Sequence, residues 1–189
     1  MLSKIVSVDM GCGNTKIACA GEGVVYSQPT FVIAGEGKEV IAAGEGALEY
    51  IRCGRTGSKI KRPVEATGIS DRNLAAKMMR GIIKAVFAGE KKQYIKGVFC
   101  VPEGLTQVQN EMYEEIAAAS GIGDVYFVNG MVACARGAGV DPDLPFGTLV
   151  VDVGHGTTKC GVVAMGECIT YGSTGKGGGY VTEKISEYI

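Results

Sequence analysis

An eight-residue pattern, Asp-x-Gly-x-Gly-x-Thr-Lys, occurs twice in this chain, at Asp9–Lys16 and at Asp152–Lys159, with a constant offset of 143 positions. Each copy follows an apolar run, Ile5-Val-Ser-Val or Leu149-Val-Val, and leads into another. Both copies therefore predict strand, glycine turn, strand. Repetition of a whole supersecondary unit points to internal duplication rather than chance in a glycine-rich chain. Glycines lack Cβ atoms, so successive backbone N–H groups can converge on an anion, with Thr and Asn side chains as further donors. A triphosphate suits such a turn. The aspartate at each strand end would repel phosphate, so its role is to hold a divalent cation through water. One such turn alone reads as a tight hairpin that uses Asp and Gly for their backbone conformations. The pair, with a further glycine cluster at 175–179, favours phosphate. Neither G-x-x-x-x-G-K-[ST] nor a G-x-G-x-x-G entering a helix is present.

The rest of the pattern is α/β, with short β-rich runs alternating with helical periodicities. Strands are expected at 4–9 and 16–20, then at 24–26, 31–34 and 39–42 as a small antiparallel meander. Residues 46–62 give a short helical pattern and then a basic stretch (Arg52, Arg55, Lys59, Lys61, Arg62) that reads as a solvated loop. A strong helix starts at Ser70 or Asp71, with Leu74, Met78, Ile82 and Val86 on one face and Gly89 closing it. Residues 97–102 read as a strand, and Thr106–Ser120 as a helix with Val108, Met112, Ile116 and Ala119 buried and Gly121 beyond its end. A strand at 124–128, a small-residue helix at 130–138, strands at 148–152 and 160–165 and an amphipathic segment at 181–189 complete the reading.

Nineteen Lys and Arg against twenty Asp and Glu leave a net charge of −1, so no basic field exists to hold nucleic acid. Seven cysteines, odd in number and without a C-x-x-C pair, read as reduced, buried thiols of a cytoplasmic protein. No uncharged apolar stretch approaches the ~18 residues of a membrane helix, and the amino terminus lacks the pattern of a signal peptide. The single histidine, His155, has no companion ligands for a metal and reads as an exposed loop side chain near phosphate.

With both turns in view, the chain resembles the actin, Hsp70 and sugar-kinase superfamily, and most closely the bacterial actins of the MreB type. The first turn is similar to that superfamily's first phosphate loop and Asp152–Lys159 to its second. The segments IKRPVEATGISD (60–71), VPEGLTQVQ (101–109), SGIGDVYFV (120–128) and DVYFVNGMVACARGAG (124–139) line up with MreB-like sequence. The resemblance implies an actin-like (ribonuclease H-like) ATPase fold, a mixed sheet with flanking helices followed by the start of a second similar domain. Domain I would be 1–147, with a small subdomain at 29–62 whose basic residues 52–62 lie near a subunit interface, and 148–189 would begin domain II. ATP and Mg²⁺ are the implied cofactors: Asp9 and Asp152 on the hydrated metal, Gly11, Cys12, Gly13 and Asn14 with Gly154, His155, Gly156, Thr157 and Thr158 around the phosphates, Lys16 on the β- or γ-phosphate, and Gly177 and Gly178 near ribose and phosphate.

Gln109 falls where MreB-like proteins carry the acid that positions the attacking water. Its neutral amide implies slow hydrolysis, while Thr106-x-x-Gln109 is equally a capping box. Lys16, Asn129-Gly130 in place of Glu-Pro, and the missing acid after Gly177-Gly178 depart from the MreB pattern. The implied activity is ATP hydrolysis coupled to self-association into filaments, in cell shape or intracellular organisation, with contact to a membrane surface or membrane protein and none to nucleic acid. A non-polymerising Hsp70-like, reactivase or kinase-type relative, and a chain without nucleotide binding, are the alternatives. The 42 residues from Thr148 onward are too few to cover both faces of a second sheet, so the chain is expected to be part of a longer protein.

Overall fold

The computed structural model describes residues 3–37, 39–55, 59–90 and 94–189. In chain order the elements are β1 (Ser3–Met10), β2 (Asn14–Cys19), β3 (Gly23–Pro29), β4 (Val32–Ala34), β5 (Val40–Ala43), α1 (Gly44–Arg52), β6 (Lys59–Lys61), β7 (Val64–Glu65), β8 (Gly68–Ile69), α2 (Arg72–Val86), β9 (Tyr94–Val101), α3 (Gln107–Ala119) and β10 (Ile122–Asn129). They continue with α4 (Gly130–Gly137), β11 (Thr148–Val153), β12 (Thr158–Ala164), β13 (Glu167–Thr174) and α5 (Gly178–Tyr188). The chain divides into two compact units, Met1–Phe99 with Gln107–Tyr126, and Cys100–Thr106 with Phe127–Ile189.

In the first unit, β1, β2 and β3 form the antiparallel part of a sheet ordered β10-β9-β1-β2-β3. Alternation along β1 and β2 sends Val6, Val8 and Ile17 inward, essentially without solvent exposure, where Phe99 joins them. Helix α2 begins as its sequence requires: the Asp71 carboxylate accepts from the Leu74 N–H at 2.9 Å, and Leu74, Met78 and Ile82 are buried, with Ala75, Met79 and Ile83 widening the stripe.

Three expectations are revised here. β3 does not form a meander with β4 and β5; it pairs with β2, while β4 sits between β5 and β6 in a separate sheet. The reason lies in the β2–β3 connection, where Gly21 and Gly23 (φ 82° and 79°) turn the chain straight back. The basic stretch is not all loop, because Lys59–Lys61 forms β6, and the guanidinium groups of Arg55 and Arg62 stack on Tyr50 and Phe31. Helix α3 buries Ile116 as expected, but with Tyr113 and Ala117 beside it; Met112 is half-buried, Val108 is 66% exposed and Ala119 lies outside. The edge-on contact of Tyr113 with Phe99 turns the Tyr113, Ile116 and Ala117 side of the helix inward.

In the second unit, β11, β12 and β13 make an antiparallel sheet with α4 on one face. Met131, Val132 and Ala135 of α4 pack on Val163, with Val150 and Cys168 at the margin. Strand β13 was not anticipated, because its sequence Glu167-Cys-Ile-Thr-Tyr mixes polar and apolar residues and its turn places Met165 at a positive φ of 53° before Gly166 at 78°. The opposite face of β11 carries Leu149, Val151 and Val153 at 57–68% exposure. Among the described residues no disulfide joins the cysteines, and against the expectation of buried thiols Cys19 is buried, Cys53 and Cys160 are exposed and the other four are half-buried.

Candidate functional site: two glycine turns

The two sequence repeats fold into two hairpins with one register. In the first, Asp9 pairs with Lys16 and Met10 with Thr15; in the second, Asp152 pairs with Lys159 and Val153 with Thr158. The 143-residue offset thus extends from sequence to strand pairing, continuing to Val6↔Cys19 and Leu149↔Val162. Each turn needs glycine at its first corner. A Cβ at Gly11 would stand 2.9 Å from the Asn14 carbonyl, and one at Gly154 would stand 3.1 Å from that of Thr157. In the second turn that contact is the closing hydrogen bond, Gly154 N–H to the Thr157 carbonyl at 2.9 Å.

The first turn is braced from below. Thr15 is fully buried, its hydroxyl 2.8 Å from that of Thr30, and the Thr30 N–H donates to the Gly13 carbonyl at 2.8 Å. Gly11, Cys12 and Gly13 are half-buried and Asn14 is exposed. Lys16 extends to 3.8 Å from the Asp9 carboxylate, both side chains being about half exposed.

The second turn is braced by the start of α5. Gly178 and Gly179 donate their N–H groups to the carbonyls of Gly154 and His155, each at 2.8 Å, and the Thr158 hydroxyl donates to the Lys176 carbonyl at 2.8 Å. Gly177 is buried in this junction, where a Cβ would fall 2.5 Å from two backbone oxygens of the turn. The His155 side chain is exposed, and its ring stands over Gly179. The glycine cluster at 177–179 therefore holds the second turn through backbone contact, which gives a physical reason for three successive glycines.

Gln109 lies in the first turn of α3 and is half-buried. Asn129 caps α4, its side-chain oxygen accepting from Met131 and Val132 N–H at 2.9 and 3.3 Å. The sequence reading missed Glu103. Its side chain is 3% exposed; it accepts the Met131 N–H at 2.8 Å and pairs with Lys159 at 3.3 Å. No local pattern announces it, since its partners lie 28 and 56 positions away. Burial pushes the neighbouring Cys168 thiol upward, with the Glu103 charge adding to it. Among the described residues no group of three or more His, Cys, Asp or Glu is placed to hold a metal, and no helix is long and apolar enough to cross a membrane.

The strand order, the helices and the duplicated hairpin define the actin-like class of α/β proteins. A family model described as MreB/Mbl protein matches residues 3–189, and the chain belongs to that family. It is 32% identical over 197 aligned positions to the cell shape-determining protein MreB of Escherichia coli (strain K12), covering all of this chain and 56% of that protein. To the cell shape-determining protein Mbl of Bacillus subtilis (strain 168) it is 31% identical, covering 57% of that protein. The chain thus spans about half the length of the curated relatives it matches. Its fold matches the crystal structure of Spiroplasma citri MreB5 bound to ADP with a TM-score of 0.87 at 24% identity, over 99% of this chain and 56% of that one. A chain of the MamK double helical filament matches with a TM-score of 0.77 at 17% identity, over 98% and 58%.

Proposed function

We propose that this chain belongs to an actin-like ATPase of the MreB type, which binds ATP with Mg²⁺ at its two glycine turns, hydrolyses it slowly and assembles into cytoplasmic filaments serving cell shape or intracellular organisation. The observation that carries this reading is the shared register of the two hairpins, which sets an aspartate and a lysine at matching positions around a glycine turn in both. The MreB5 structures bound to ADP and AMPPNP, and the MamK filament, support nucleotide binding and self-association as properties to test here.

In this reading the N–H groups of Gly11–Asn14 and of the second turn after Gly154, with the side chains of Cys12, Asn14, His155 and Thr157, cradle phosphate oxygens and Lys16 offsets their charge, while Gly154 and Thr158 shape the second turn through the Gly154 N–H bond to the Thr157 carbonyl and the Thr158 hydroxyl bond to the Lys176 carbonyl. Gly177 and Gly178 act by fixing the second turn. Asp9 and Asp152 would hold the Mg²⁺ through water: a carboxylate is a hard donor, and Mg²⁺ keeps several of its waters while sharing phosphate oxygens. Bound there, Mg²⁺ would supply neutralisation of the phosphate charge. Gln109 orients the attacking water through its amide; because an amide is a poor base, turnover is slow. The division into 1–147 and 148–189, with 29–62 as a small subdomain, is part of the proposal, as are further copies of the chain and a membrane surface or membrane protein as partners, and no nucleic acid.

Titration with a fluorescent ATP analogue and Mg²⁺, alongside sedimentation, tests the reading. Mg²⁺-dependent binding that weakens in both Asp9→Asn and Asp152→Asn, with ATP-dependent pelleting, is expected. Binding indifferent to both substitutions contradicts it.

A further inference from the structure

The duplicated hairpin contains its own control. Lys16 and Lys159 occupy the same register position opposite Asp9 and Asp152, so both lysines have the same reach to the aspartate across the ladder. In the first turn that reach is used, with Lys16 3.8 Å from Asp9. In the second it is not: Lys159 points to Glu103 at 3.3 Å, and among the described residues Asp152 makes no ion pair. Glu103 is held in place to do this. Its side chain is 97% buried by the measure of its 3% exposure, and its other oxygen accepts the Met131 N–H at the start of α4. Gly130 makes room for it, since a Cβ there would lie 3.2 Å from the Glu103 carboxylate.

From this difference we infer that Glu103 is a positioning residue for the second glycine turn: it draws Lys159 away from Asp152 and leaves that aspartate uncompensated, so that Asp152, rather than Asp9, supplies the stronger attraction for a divalent cation. This deepens the proposed function and rests on it for the identity of the guest. The asymmetry itself is a property of the two hairpins. An exposed carboxylate with a lysine already beside it offers a cation less than one without, because the lysine must be displaced or its repulsion tolerated.

The experiment uses Mn²⁺ alone as probe, read as paramagnetic broadening of backbone amide signals in the whole chain, with no nucleotide present. In the wild type, broadening at Gly154–Thr158 is expected at lower Mn²⁺ than at Gly11–Asn14. Glu103→Gln keeps an acceptor for the Met131 N–H but removes the charge that holds Lys159, which then returns to Asp152. The Mn²⁺ midpoint at the second turn should rise about three- to fivefold, the scale of an exposed ion pair. Lys159→Met should leave the midpoint within about twofold of wild type, and Glu103→Gln combined with Lys159→Met should restore it. A merely structural role for Glu103 would leave the double variant as impaired as the single one. That result, an unchanged midpoint in Glu103→Gln, or a wild type that binds Mn²⁺ no better at the second turn, each overturns the inference. Failure of ATP to bind the wild-type chain while the Mn²⁺ pattern holds would instead remove the ATPase reading and leave this one standing.

Discussion

Gly177→Ala adds one methyl group at the point where the glycine cluster meets the second turn. The residue sits at φ −109°, ψ −165°, extended backbone open to any L-residue, so the substitution introduces no backbone strain. What it introduces is collision: the Cβ would fall 2.5 Å from the carbonyl oxygens of both Gly154 and His155 and 2.7 Å from the His155 carbonyl carbon, all backbone atoms that cannot rotate aside. The start of α5 must back away, and the Gly178→Gly154 and Gly179→His155 hydrogen bonds, each 2.8 Å, lengthen or break. Two bonds at about 1 kcal/mol each, in a junction that was close-packed, put the expected loss at about 2–3 kcal/mol. Gly175→Ala is the control, because a Cβ there meets nothing within 4 Å. Urea unfolding followed by fluorescence or circular dichroism, with amide exchange at 154–158 and 178–182, reads both variants. An unfolding midpoint for Gly177→Ala equal to that of Gly175→Ala, with unchanged exchange at the turn, would refute the reasoning.

Thr15→Val should cost about 1–2 kcal/mol, since it strands the buried Thr30 hydroxyl, and Thr15→Val with Thr30→Val should recover part of that loss in the same unfolding assay. Asp71→Ala removes the cap of α2 and should destabilise the first unit by about 1 kcal/mol, seen as faster amide exchange at Leu74. The Asp124 carboxyl is held below its ordinary value of 3.8 by the Tyr94 hydroxyl first and Lys96 second. Its contribution to stability is therefore present above that value and is lost as pH falls through the lower folded value. Tyr94→Phe should flatten the acid limb of a stability–pH profile, and an unchanged limb would show that the pair contributes nothing.

The hairpins were legible because their pattern is local. An Asp and a Lys seven positions apart around two glycines admit one register, and the same eight positions recur with the same flanking strands. Helix α2 was legible for a similar reason, its cap and stripe both lying within the segment. Where long-range packing decides, the sequence was silent. The buried side of α3 is chosen by Phe99 meeting Tyr113, and β13 depends on a turn with methionine at positive φ, a conformation no propensity favours. Glu103 followed a proline in an apparent loop, with nothing nearby to mark it as buried. The cluster at 177–179 was noticed for its glycines, but its contact is with a turn more than twenty positions earlier.

Whether both turns hold one guest is decided by solving the structure of the chain with a non-hydrolysable ATP analogue and Mg²⁺. A single polyphosphate touched by N–H groups of both Gly11–Asn14 and Gly154–Thr158, with Asp9 and Asp152 reaching the cation through water, is the predicted result. An analogue bound at only one turn, or away from both, would contradict it.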